Sequence, residues 1–98
     1  MKILSVFHRG NEISIHTNLL GKKIITFNKE VVLEKFTLFN LPVLTFTAKG
    51  EAYYVKLGYH WSGGYGADIW NDDGPILLGL NKYTGRPRFN PIIESDYV

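Results

Sequence analysis

Along most of the chain, hydrophobic and polar residues alternate with a period of two. Glu12, Ser14 and His16 fall on one side of such an alternation, and Ile13 and Ile15 on the other. Successive strand side chains point to opposite faces, so this pattern predicts a half-buried β-strand. Ile3 to His8 is apolar and β-branched and predicts a strand before it. Arg9-Gly10-Asn11 predicts the hairpin turn between them, because Gly and Asn tolerate positive φ. Asn18-Leu19-Leu20-Gly21 predicts a break, and Lys22 to Phe27 a strand rich in Ile and Thr. Asn28-Lys29-Glu30 predicts a type I′ hairpin that restarts at Val31. From Val32 to Phe39 both faces carry apolar residues, which predicts a central strand or one that bends or bulges near Glu34-Lys35. Asn40-Leu41-Pro42 ends it, since proline removes a ladder donor.

Val43 to Ala48 alternates again, with Leu44, Phe46 and Ala48 opposed to Val43, Thr45 and Thr47. Lys49-Gly50 predicts a turn. Ala52 to Leu57 predicts a strand with Tyr53, Val55 and Leu57 on one face. Tyr65 to Trp70 predicts another, closed by the turn Asn71-Asp72-Asp73-Gly74. Pro75 to Leu78 predicts a short strand whose proline suits an edge. The chain thus predicts about eight short strands and no helical period, an all-β antiparallel sandwich or small barrel. Residues 1–79 form the expected β-domain, and 80–98 an extended C-terminal tail. Phe89, Ile92, Ile93 and Tyr97 are apolar, so the tail is expected to dock on the domain or on a partner.

Composition changes this picture by exclusion. Ninety-eight residues suit one domain with one core. The absence of cysteine excludes disulfides, thiolate metal sites and cysteine nucleophiles, and fits a reducing compartment. The apolar run after Met1 is shorter than a signal peptide requires, and no stretch is long enough to span a membrane. A cytoplasmic location is the expectation. Eleven Lys and Arg against nine Asp and Glu leave a net charge of +2, scattered rather than clustered, so nucleic acid is not an expected partner.

The candidate chemistry gathers in Gly58 to Gly74, which holds both tryptophans and five of the ten glycines. Trp70 is expected in the core. Trp61 stands in a loop, with burial and exposure both open. Tyr59, His60, Trp61 and Tyr65, with Asp68 on the same strand face as Trp70 and Gly66, are the candidate ligand-binding residues, suited to a glycan or a small molecule. Ser62 near His60 lacks an orienting acid and oxyanion donors, so no catalytic residue is expected. His8, His16 and His60 lack metal-ligand spacing and are expected as exposed polar positions; no metal or cofactor is predicted. Gly63-Gly64-Tyr65-Gly66 precedes a strand rather than a helix, which excludes a phosphate loop.

Three stretches resemble the Fas apoptotic inhibitory molecule family. They are Leu20 to Val32, with its glycine-basic start, tight turn and Glu-Val restart; Phe46 to Leu57; and Asp68 to Gly74 before a final apolar strand. The resemblance implies a compact antiparallel β-sandwich without an established catalytic site. This chain has only one such unit and adds the Tyr59-to-Gly66 stretch and a proline-bearing tail. The expected role is non-enzymatic, through protein contacts and possible homodimerisation at exposed strand edges. The alternative is a ligand-binding module using the 59–66 loop. A third route, binding of single-stranded nucleic acid, would use the same rings with Lys82, Arg86 and Arg88.

Overall fold

Three two-residue turns set the architecture. Arg9-Gly10, Asn28-Lys29 and Lys49-Gly50 hold both central residues at positive φ, at 50° and 78°, 51° and 71°, and 50° and 75°. This backbone matches the right-handed twist of the strands it joins, so each turn locks a tight hairpin. In the computed structural model, which describes residues 2–18, 20–36, 43–60 and 64–93 (Phe89 by its backbone only), the strands between the turns form two sheets. The first holds β1 (Lys2–His8), β2 (Asn11–Thr17), β3 (Lys22–Phe27) and β4 (Glu30–Phe36) in that order. The second holds β5 (Val43–Ala48), β6 (Glu51–His60), β7 (Gly64–Asn71), β8 (Gly74–Leu80) and β9 (Pro87–Ile93), also in order. Every pairing is antiparallel between neighbours in sequence. No helix among the described residues is long and apolar enough to cross a membrane.

The alternation places one apolar row of each sheet in a shared core. Val6, Ile13, Ile15, Ile25 and Phe27 come from the first sheet; Leu44, Phe46, Tyr53, Val55, Leu57, Ala67 and Ile69 come from the second. Rings gather at one end of this core. Tyr53 and Phe46 stand opposite each other on β6 and β5 and stack at 5.1 Å. Phe27 reaches across from the first sheet to within 5.8 Å of Tyr53. Burying such large rings supplies much of the apolar area that holds the layers together.

Several expectations change. The described strands form two separate sheets, not one closed barrel. They number nine, because residues 87–93, expected as part of an extended tail, pair with β8 as β9. The β8 strand itself runs through Leu80, past the expected domain end at residue 79. Two prolines make this stretch look unlike a strand, yet an edge position needs only one row of ladder bonds. The bulge expected near Glu34-Lys35 occurs at Val32, where Leu33 pairs with Ile25 and Val31 with Thr26. Residues 37–42, with the proline break, lie outside the described residues. His8, expected as exposed, faces the core at 3% exposure.

Candidate functional site

The expected loop of residues 59–66 is mostly strand. β6 continues to His60, β7 begins at Gly64, and Tyr59 lies opposite Tyr65 and Gly58 opposite Gly66. Gly58 and Gly66 serve close packing, while Gly64 holds a positive φ of 76° in open space. A Cβ on Gly58 would sit 2.5 Å from the Gly85 carbonyl oxygen and 2.6 Å from a Leu80 methyl. A Cβ on Gly66 would sit 2.9 Å from both the Gly79 carbonyl oxygen and the Pro87 ring. The β8–β9 loop therefore lies against the bare backbone of this glycine pair. Its shape comes from Asn81, whose side-chain oxygen accepts from the amides of Tyr83 at 2.9 Å and Thr84 at 3.3 Å.

Of the five candidate ligand residues, the structure describes Tyr59, His60, Tyr65 and Asp68. Tyr59 and Tyr65 remain together, with tilted rings 4.8 Å apart, and Tyr59 is 54% exposed. His60 is half-buried on the next position of β6. Trp61 lies outside the described residues, so its burial or exposure does not enter the site. Asp68 does share a face with Trp70 and Gly66, but its carboxylate is engaged by the backbone. One oxygen accepts from the amide of Gly79 at 2.9 Å and from that of Leu80 at 3.0 Å. These two amides lie where the β8–β9 register slips between Leu78 and Leu80. A bulge removes ladder partners, and Asp68 replaces them. Trp70, expected in the core, is half-buried on the opposite face and stacks on Tyr54 at 5.7 Å. The inner positions of β7 are taken by Ala67, Ile69 and Asn71.

Beneath Tyr65 lies a group that alternation did not single out. Lys23 takes an inward position on β3 and is 2% exposed. Its ammonium donates to the Thr17 hydroxyl at 3.2 Å, the Gly21 carbonyl at 3.2 Å and the Tyr65 hydroxyl at 3.4 Å. It also sits 4.9 Å from the Tyr65 ring centre. Neutral acceptors and a ring face thus carry a buried cation. No acidic side chain pairs with it among the described residues.

A second polar constellation closes the other end. Arg9, in the β1–β2 turn, donates to Glu51 at 2.9 Å and to Asp73 at 2.7 Å. Hydrogen bonds to Asp73 and then Glu51 raise the Arg9 pKa above its ordinary value. Glu51 also accepts from the Tyr53 hydroxyl at 2.9 Å. Behind it, His8 meets the Asn71 amide at 3.3 Å and packs edge-on against Tyr53 at 6.0 Å. Here a turn of one sheet is tied to the β7–β8 turn and the start of β6 in the other. The contacts span up to 64 residues of chain, so no local spacing announces them. Among the described residues no three His, Asp or Glu side chains converge to hold a metal.

Next to this end, the Tyr54 hydroxyl donates to Asp72 at 3.2 Å. The Asp72 charge, and then this hydrogen bond, raise the Tyr54 pKa above its ordinary 10.0. A phenol pKa raised on folding means that the contact stabilises the fold below the unfolded value. That contribution is lost as pH rises through the folded value. Asp72→Asn is therefore expected to move Tyr54 ionisation to lower pH in an alkaline titration followed by ring-carbon NMR. An unchanged midpoint would show that Asp72 does not set it.

The sheet edges differ in how they are guarded. On β1 a bulge interrupts the register between Lys2 and Leu4. On β4 a bulge at Val32 is joined by Glu30, Glu34 and Lys35. On β9 two prolines, Pro87 and Pro91, remove donors. β5 has none of these: Val43–Ala48 carries no charge, proline, glycine or bulge and keeps an unbroken register with β6. Among the described residues β5 has no ladder partner on its other side. Compared with known protein families, curated proteins and solved structures, the chain matches none.

Proposed function

We propose that the two layers form a β-sandwich that acts through protein contacts rather than catalysis, and that its contact edge is β5. The observation that carries this reading is the contrast among the edge strands. An open edge offers a row of unpaired amides and carbonyls, and proteins that stay monomeric blunt such edges with bulges, charge or proline. Three edges are blunted in these ways and β5 is not.

The partner is a second copy. Antiparallel neighbours must share a face, so a two-fold axis falls on a residue rather than between two. With Thr45 on the axis, Val43 stands opposite Thr47 of the second copy, and Leu44 opposite Phe46. This brings β-branched residues together outside and apolar residues together inside, with no charge against charge.

Thr45 is exposed on the outer face of β5, so lysine there leaves the core untouched. Wild type is expected to show a dimer by size-exclusion chromatography with light scattering at high micromolar concentration. Thr45→Lys is expected to be monomeric, because like charges would face each other on the axis, and to unfold as wild type does at concentrations low enough for wild type to be monomeric. A monomeric wild type, or a dimeric Thr45→Lys, would overturn this assignment of the edge.

A further inference from the structure

Two irregularities in pairing shape a groove on the side of the molecule away from β5. The bulge on β1 takes Ile3 out of register, and Ile3 and Leu4, adjacent in sequence, both pack against the core. On the other sheet the β8–β9 register slips at Gly79. Between them lies a groove of about 480 Å³, lined by Ile3, Leu4, Leu77, Pro91 and Ile93, with Arg88 among its walls. Ligand sites of this kind combine apolar walls with few polar anchors, and range from roughly 300 to 1,000 Å³.

Arg88 supplies the anchor. Its Nε donates to the Leu80 carbonyl at 3.0 Å, which holds the side chain in place. No acidic side chain pairs with it among the described residues. Its terminal nitrogens are thus left for a planar anion, and a guanidinium matches a carboxylate in two parallel hydrogen bonds. Tyr65, another wall of the groove, covers the buried Lys23 ammonium, whose charge adds to the positive potential. Of the acids along β7, Asp68 is engaged by the amides of Gly79, a groove wall, and Leu80, and Asp72 and Asp73 sit past the far end of the strand from Tyr65.

We propose that this groove binds a small apolar carboxylic acid, with its hydrocarbon body on Ile3, Leu4, Leu77 and Ile93 and its carboxylate on Arg88. One arginine among apolar walls favours a singly charged head and an apolar tail over a phosphate, which would call for several donors. The site lies on the opposite side from β5, so it is independent of the dimer.

The test uses the full chain with anilinonaphthalene sulfonate as fluorescent reporter and decanoate and decan-1-ol as competitors. Decanoate is expected to displace the reporter at least about tenfold better than the alcohol, the scale of a hydrogen-bonded charge pair. Arg88→Gln is expected to weaken decanoate by about tenfold and leave decan-1-ol unchanged. If Arg88→Gln does not fold, Ile93→Glu at the groove rim serves, and should repel decanoate more than the alcohol. Thr45→Lys should bind decanoate as wild type does, which separates this site from the edge contact. Equal displacement by acid and alcohol, an unaffected Arg88→Gln, or no displacement at all would overturn the proposal. So would reporter emission that falls as the mass by light scattering doubles, since a second copy would then cover the groove.

Discussion

Tyr53→Ala is expected to lower the unfolding free energy by about 3–5 kcal/mol, the usual cost of truncating a buried ring. Tyr53 is 1% exposed and meets Phe46, Phe27 and His8. These rings come from both sheets, so the cavity would open where the two layers join. The hydroxyl has its own role, donating to Glu51 and so linking the core to the Arg9 bridge. Tyr53→Phe keeps the ring and should cost only about 1 kcal/mol. Urea unfolding followed by tryptophan fluorescence checks both. Protein concentration must be held fixed, because self-association adds to apparent stability. A loss below about 1.5 kcal/mol for Tyr53→Ala would mean that the ring cluster does not hold the layers together.

Asp68→Ala is expected to lose about 2–3 kcal/mol, because the amides of Gly79 and Leu80 would lose a charged acceptor. Asp68→Asn retains an oxygen in the same place and should lose no more than about 1 kcal/mol. The fold depends on this bulge at close quarters. A Cβ on Gly79 would run into the Ala67 carbonyl oxygen, so the strand has no room to shift in response. Hydrogen exchange at the two amides is the direct check, and both should lose protection in Asp68→Ala. Wild-type stability in Asp68→Ala would contradict the bulge role and return Asp68 to the candidate ligand residues.

The difference between these two residues shows how far the sequence can be read. Tyr53 sits in a clean alternation with Val55 and Leu57, so its inward direction follows from period two alone. Asp68 has the parity of Trp70 and Gly66, so the face it shares with them follows from period two as well. Its partners, however, are backbone groups exposed by a register slip eleven and twelve residues later, and side-chain patterning carries no signal for a slip. Trp70 shows the same limit. A large ring favours burial on average, but Ile69 occupies the inner position and the chain cannot place both there. Gly58 and Gly66 show a related limit. Both resemble turn residues until Leu80, Gly85 and Pro87 are found packed against them.

The sequence by itself determined that this protein is all β, where most strands lie and which turns join them. Those properties depend on neighbours: alternation over a few residues, and positive φ at positions such as Asn28 and Gly50. Tertiary structure alone decided that residues 87–93 join a sheet, that Lys23 is buried, and that Arg9 meets Asp73. It also decided where a groove opens beside Arg88. Each of these depends on contacts that alternation over a few residues does not encode, within the second sheet for β9 and between residues of the two sheets for Arg9 and Asp73.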